Sequence, residues 1–235
     1  MAPKPRKPVS QKPAFGPREF AAAQNVSRET ISRLEAFAAL LAKWNKAVNL
    51  VSRRDIGDLW QRHILDSAQL MNLLPPAPPG RERVIADLGS GAGFPGLVLS
   101  ILGAGQVHLF ESDARKCAFL VEAARVTKSN ATVHNMRIED IPKLLPNFRA
   151  DVVTARALAP LPALIEFAAL IIEKHGICLF LKGQTILSEL TAATKLRNMR
   201  IEQLPSRTGR SGIILRIGGM AIDRSARESQ RRRPE

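Results

Sequence analysis

The sequence predicts an α/β protein: a mostly parallel sheet with helices on both faces, preceded by a small helical extension. Three observations predict this. After residue 80, short strand-like runs alternate with helical runs five times, the pattern of successive βα units. Before residue 73, apolar residues recur at helical spacing. Between the two lies "LLPPAPPG", residues 73–80, whose prolines and glycine interrupt either pattern. The expected organisation is a disordered basic tail over 1–18, the helical extension over 19–74, the α/β domain over 81–220 and a basic C-terminal tail over 221–235.

The elements follow in order. A short helix is expected from Pro17 to Asn25. Ser27 caps a second helix, with Ile31, Leu34, Phe37, Leu41 and Trp44 on its apolar stripe and Val48 continuing it. A third runs from about Asp55 to Asn72, with Leu59, Trp60, Ile64 and Ala68 facing inward. "RVIADL" (83–88) reads as the first strand, followed by a glycine-rich turn and a helix to about Leu102. "VHLFES" (107–112) is the second strand and "DARKCAFLVEAARV" its helix. "ATVHNM" (131–136) is the third, with a short helix near 139–145. "ADVVTARA" (150–157) is the fourth, with "LPALIEFAALII" as its helix. "GICLFLKG" (176–183) is the fifth, with a helix around 186–198. "RIEQLPS" (200–206) and "GIILRIG" (212–218) form a closing antiparallel pair.

Composition narrows the classes of function. The formal charge is +14. Residues 1–18 contribute +5 and residues 223–235 contribute +2, which leaves +7 on the body. A body that is basic without its tails points to a polyanionic partner, most simply nucleic acid. Aromatic content is 5% with no tyrosine, which argues against a long single-strand stacking platform. No apolar run is long enough to cross a bilayer. The proline-rich basic N-terminus lacks the apolar core of a secretory signal. Cys117 and Cys178 have neither metal nor redox spacing and are expected as buried thiols in a reducing cytoplasm. No metal site is expected.

The chemistry concentrates after the first strand, where Gly89, Gly91, Gly93 and Gly96 follow Asp87. In open α/β sheets, ligands sit beyond the carboxyl ends of the strands, and glycines let them approach the backbone. Gly91 to Gly96 satisfies the dinucleotide pattern G-x-G-x-x-G literally. A pyrophosphate, however, needs free N–H groups at the helix start, and Pro95 removes one. That pattern should also begin where the strand ends, near Gly89, and in that register Phe94 replaces the last glycine. Asp87 repels a pyrophosphate but attracts a sulfonium or an ammonium, which it would hold directly or through water. S-adenosylmethionine carries both cations and no phosphate. Glu111, at the end of the second strand, can accept hydrogen bonds from ribose hydroxyls, a feature that nicotinamide sites share. "HNMRIED" (134–140) places Ile138 and Glu139 at the end of the third strand, where an adenine ring could pack and be read. A nicotinamide-dependent oxidoreductase and a non-catalytic RNA-binding module remain as alternatives at this stage.

The stretches "NKAVNLVS", "RHILDS", "DLGSGAGFPGLVLSI", "ESDARKCAFL", "RIED", "TARALAPL" and "LKG" occur in this order. Together they resemble the RsmG (GidB) family of bacterial 16S ribosomal RNA guanine-N7 methyltransferases over roughly residues 30–218. The resemblance implies a Rossmann-like class I methyltransferase fold, with a seven-stranded, mostly parallel sheet whose last strand is antiparallel. It implies S-adenosylmethionine as cofactor and N7 of guanine 527, in the 530 loop of 16S rRNA, as target. The partner is then 16S rRNA or the small ribosomal subunit, in the cytoplasm, and the enzyme is expected to be a monomer. By motif match, cofactor contacts fall on Gly89, Phe94, Ile138, Glu139 and Arg156; the chain's own pattern adds Asp87, Gly91 and Glu111.

Guanine N7 has an exposed lone pair and no proton to lose, so no general base is expected. Arg156, at the end of the fourth strand, is the one candidate catalytic residue, near the cofactor. His63 is expected to pack between helices. Lys182 and the arginines Arg53, Arg54 and Arg62 are candidate phosphate contacts, which give affinity rather than sequence readout.

Overall fold

A computed structural model describes residues 15–183, Glu189, 199–209 and 212–219, without the side chains of Arg53 and Arg54. Helix α1 (Pro17–Gln24) opens with proline in its first turn, where a missing N–H costs nothing. Phe15 packs just ahead of it, so order begins before residue 19. Helix α2 (Arg28–Trp44) starts at Ser27, whose Oγ accepts from the Thr30 amide at 3.1 Å. It buries Leu34, Phe37 and Leu41 and stops at Trp44, short of Val48.

The third expected helix is not continuous. Helix α3 (Arg53–Gly57) is followed by a π-helical turn at Trp60–Leu65, then α4 (Asp66–Ala68) and a 3-10 turn at Gln69–Leu73. Gly57 holds a helix weakly, and α3 ends there. The widened π turn carries Arg62 and His63, and the Arg62 carbonyl accepts from Arg156 Nη1 at 3.3 Å. An apolar stripe does not distinguish these turns from one α-helix.

The α/β part begins with β1 (Val84–Leu88), α5 (Gly96–Ile101), β2 (Gln106–Glu111), α6 (Ala114–Thr127) and β3 (Ala131–Asn135). A 3-10 turn at Ile138–Asp140 leads into α7 (Ile141–Leu144). Then come β4 (Ala150–Arg156), α8 (Leu161–Ala169), β5 (Ile172–Lys182), β6 (Arg200–Pro205) and β7 (Ile213–Gly218). The seven strands lie in the order β3-β2-β1-β4-β5-β7-β6. The first five are parallel, and β7 runs antiparallel between β5 and β6.

One boundary moves. β5 starts at Ile172, four residues earlier than expected, because α8 ends at Ala169 and Ile172 pairs with Ala150 across an irregularity before Val152. The run "LPALIEFAALII" is apolar apart from Glu166 and apolar across the boundary itself, so its helix-to-strand change carries no periodic signal. The helix expected around 186–198 lies outside the described residues apart from Glu189, as do residues 1–14 and 220–235.

Alternating strand residues divide the core. Ile85, Val107, Leu109, Val152 and Leu179 face α2, α5 and α6, whereas Ala86, Phe110, Val153 and Phe180 face α8. The extension belongs to the first of these cores. Arg33 of α2 donates to the Thr127 and Lys128 carbonyls at the end of α6, at 2.6 and 3.1 Å. Phe37 and Trp44 meet Phe119, with centroids 6.3 and 5.9 Å apart. The strand order reverses between β1 and β4, which opens a crevice at their carboxyl ends.

Candidate active site

A cavity of about 580 Å³ fills that crevice. Gly89, Gly91, Phe94, Glu111, Ile138, Glu139 and Arg156 all line it, so seven of the eight residues singled out from sequence come together. Gly89 and Gly91 hold φ of +65° and +53°, which side-chain-bearing residues adopt only at a cost. A Cβ on Gly89 would lie 2.5 Å from Leu158 Cδ1, and Leu158 is itself part of the cavity wall. Bare backbone is what keeps this wall open.

Glu111 is placed by backbone alone. Its Oε2 accepts from the Gly91 amide at 2.9 Å and its Oε1 from the Asp113 amide at 2.8 Å. Both carboxylate oxygens are thereby oriented, and each keeps lone pairs for a further donor. Asp113 in turn caps α6 through bonds to Arg115 and Lys116. Ile138 supplies an apolar wall and is 8% exposed; Glu139 beside it is exposed.

Asp87 is the residue the structure does not place on the cavity. It is fully buried beneath the glycine turn. A Cβ on Gly96 would lie 2.6 Å from Asp87 Cβ, so Gly96 packs directly over it. The Thr154 hydroxyl donates to Asp87 Oδ1 at 2.7 Å, while Oδ2 has no hydrogen-bond partner among the described residues. Burial pushes its carboxyl up to about 6, against the hydrogen bond from Thr154. The acid therefore braces β1 against β4 rather than meeting a ligand directly.

Arg156 is the most constrained cation of the site. Its Nη2 donates to His63 Nδ1 at 2.5 Å, and its Nη1 reaches the Arg62 carbonyl at 3.3 Å and Asp66 Oδ2 at 3.7 Å. The guanidinium lies 5.0 Å over the Phe94 ring, and His63 stacks on Phe94 with centroids 4.9 Å apart. Phe37 of α2 approaches the same ring at 5.4 Å. Phe94 is thus 4% exposed, held among Phe37, His63 and Arg156. Burial, then the charge of Arg156, lowers His63 to about 4. His63 is therefore neutral near pH 7. Because arginine only donates, Nδ1 must be its acceptor and Nε2 carries the proton. The packing role expected for His63 is met, and the residue also positions Arg156.

A smaller cavity of about 300 Å³ shares Arg156 and Ala157 with the first and adds Asp66, Lys182, Ser206 and Gly212. Lys182 does not face solvent as a phosphate contact would. It donates to the Ala159 carbonyl at 2.9 Å and pairs with Glu189 at 2.8 Å, with its side chain 10% exposed. Arg62 is exposed and paired with Asp55 at 2.7 Å. The Arg53 and Arg54 side chains lie outside the described residues. No group of three or more His, Cys, Asp or Glu that could hold a metal occurs among the described residues.

The profile of the GidB family, described as rRNA small subunit methyltransferase G, matches residues 30–209. The chain belongs to this family. A ribosomal RNA small subunit methyltransferase G from Rhodospirillum centenum is 54% identical over 89% of this chain and 93% of its own length. One from Rhodospirillum rubrum is 52% identical over 86% and 96%. Solved structures agree on the fold at low identity. A ribosomal protein L11 methylase from Lactobacillus delbrueckii subsp. bulgaricus has a TM-score of 0.52 at 17% identity, over 66% of this chain and 77% of that one. An O-methyltransferase from Thermotoga maritima has a TM-score of 0.53 at 15% identity, over 66% and 65%. The fold is the Rossmann-like methyltransferase fold that the family resemblance implied.

The structure also brings in residues that motif reasoning passed over. Leu50 and Val51 of the extension line the larger cavity. Asn45 holds them there: its Oδ1 accepts from both of their amides, at 2.8 and 2.9 Å, and its Nδ2 donates to the Val51 carbonyl. The signal was present in "NKAVNLVS", where an asparagine after a helix is a ready loop organiser. Thr154 and Asp66 carried no such signal, because the contacts that place them, Thr154 to Asp87 and Asp66 to Ser206, span 67 and 140 residues of sequence.

Proposed function

We propose that the chain is an S-adenosylmethionine-dependent methyltransferase acting on N7 of one guanine of 16S rRNA, guanine 527 in the 530 loop, within naked rRNA or the small subunit. The observation that carries the reading is the cavity at the β1–β4 switch, walled by Gly89, Gly91, Glu111 and Ile138. These residues fit the cofactor on their own terms. The backbone of the glycine turn admits close approach where a Cβ would collide. Glu111 offers two backbone-anchored acceptors to a ribose diol. Ile138 and Phe94 give apolar contact.

When bound, the cofactor supplies a methyl group on a positively charged sulfur. The chain's part is positional. N7 needs no base, so the residues hold base and methyl donor in line. Arg156 faces both cavities and fixes their relative placement, itself held by His63 and by the Phe94 face. The neutral state of His63 suits this, because a protonated imidazole would oppose the guanidinium. With the small subunit as substrate, the enzyme works in the cytoplasm. Among the described residues, no helix is long and apolar enough to cross a membrane.

The test is methyl transfer from labelled S-adenosylmethionine to unmethylated small subunits and, separately, to naked 16S rRNA, with the modified base mapped. Label at N7 of a single guanine in the 530 loop is expected. Label on another base or another RNA refutes the target; no label on any RNA, with cofactor binding retained, refutes the reaction.

A further inference from the structure

The smaller cavity is not needed to hold a methyl donor, yet its wall is built. Asp66 crosses from the helical extension to the β6–β7 connection, where its Oδ1 accepts from Ser206 Oγ at 2.9 Å, Thr208 Oγ1 at 2.7 Å and Gln69 Nε2 at 2.8 Å. Gln69 repeats the link by accepting from the Arg207 amide at 2.9 Å. Among the described residues, all three hydrogen bonds to the carboxylate land on Oδ1. Oδ2 is left toward Arg156 Nη1 at 3.7 Å, longer than a hydrogen bond. The Asp66 side chain is 16% exposed and that of Arg156 18%. A fixed donor and a fixed acceptor thus stand side by side in a largely desolvated recess of about 300 Å³, the smallest class of ligand cleft.

Resting on the guanine-N7 reading above, we propose that Asp66 is the specificity-determining residue: its Oδ2 accepts N1–H and the 2-amino group of the target guanine, while Arg156 Nη1 donates to O6. Guanine presents O6 as acceptor beside N1–H and N2–H as donors. Adenine presents the reverse at the first two positions and has no 2-amino group. The Arg156–Asp66 pair complements guanine and opposes adenine. The geometry of the base agrees. N7 lies on the far side of O6 from N1, so with O6 at Arg156 and the N1 edge at Asp66, N7 points back over Arg156 into the larger cavity.

Asp66 also answers the charge problem of the reaction. As the N7–methyl bond forms and the carbon–sulfur bond breaks, positive charge passes from sulfur to the purine, and N1–H becomes more acidic. A carboxylate already on N1–H holds the base more tightly in the transition state than before it. Its loss is therefore expected in kcat more than in KM.

The experiment uses the full chain with small subunits reconstituted from rRNA carrying guanine or inosine at the target position. Inosine keeps O6 and N1–H but lacks the 2-amino group. The wild type is expected to prefer guanine by about 10-fold in kcat/KM, the worth of one hydrogen bond to a charged acceptor. Asp66→Asn keeps the Oδ1 contacts and replaces Oδ2 with a donor. It is expected to lose about 100-fold in kcat/KM on guanine, mostly in kcat. The guanine-to-inosine ratio should fall toward 1, with affinity for S-adenosylmethionine and Tm near wild type. Should Asp66→Asn not fold, Asp66→Ala, which also removes the acceptor, carries the same expectation for the ratio. Equal use of guanine and inosine by the wild type overturns this assignment and leaves the methyltransferase reading standing. So does a slowed variant whose ratio is unchanged, since a structural role alone would give that. No transfer to guanine N7 by the wild type overturns both.

Discussion

Gly89 gives the sharpest test of where the cofactor lies. The perturbation is Gly89→Ala. The backbone there has φ of +65°, and holding an L-residue in that region costs about 1–2 kcal/mol. The new Cβ would stand 2.5 Å from Leu158 Cδ1, 3.2 Å from Cγ and 3.3 Å from Cδ2. These are atoms of a flexible side chain, so Leu158 moves rather than the backbone, at about 0.5–1.5 kcal/mol for a displaced rotamer. The stability loss is then about 1.5–3.5 kcal/mol. At about 2–4 °C per kcal/mol for a domain of this size, Tm falls by about 3–14 °C. Leu158 sits on the cavity wall, so its displacement also narrows the site. A misfit of about 1.4 kcal/mol weakens the cofactor tenfold. Gly89→Asp adds a carboxylate to the same wall and abolishes cofactor binding while the protein stays folded. Calorimetric titration with S-adenosylmethionine, alongside a thermal melt, reads both quantities. A variant that melts lower but binds the cofactor with wild-type affinity would move the cofactor away from this turn and refute the reasoning.

Four further outcomes are expected. Arg156→Ala lowers methyl transfer by about 100-fold, the usual cost of one transition-state contact, and impairs it more than it impairs folding; full turnover removes Arg156 from the site. Thr154→Val leaves the buried Asp87 without its hydroxyl donor and costs about 1–3 kcal/mol. Because the Asp87 carboxyl is raised to about 6, its folded form holds a proton that the unfolded form has lost between about 4 and 6. Its ionisation therefore costs stability as pH rises through that window, and the Tm gap between wild type and Thr154→Val should widen from pH 5 to pH 8; a constant gap counts against it. His63, lowered to about 4 from an ordinary 6.5, works in the opposite sense: stability is lost as pH falls from about 6.5 to 4, and His63→Gln should flatten that fall. Asp113→Ala removes the cap of α6 and the local order beside Glu111, at about 1 kcal/mol, with a measurable loss of cofactor affinity.

The strands and the glycine turn were legible in the sequence because each depends on near neighbours. β-branched runs bounded by polar turns mark β1 to β4 within a residue or so, and four glycines after a strand need no partner to be noticed. Asp87 shows where such local reading stops. Its position before Gly89 suggested a charge facing a ligand, but Gly96 folds back over it and Thr154, from a strand three crossovers later, donates to its oxygen. A motif gives spacing along the chain and is silent about which face a side chain takes once a second strand arrives. The same limit explains the π turn and the loop of Asn45. The apolar stripe from Ile56 to Ala68 is compatible with an α-helix, and only the contact between Arg62 and Arg156, 94 residues apart, shows what the irregular turn does. The extension differs in sequence pattern from the α/β part, yet its residues help build the site: Leu50 and Val51 line the larger cavity, Asp66 lines the smaller one, and His63 stands behind Arg156. The glycine turn, Glu111 and Ile138 give the cofactor cavity its α/β side, Leu50 and Val51 give it a side from the extension, and the extension also holds Arg156. A truncation that removes residues 15–74 should therefore lose the active site along with the cover it provides to Phe94, Phe119 and α5.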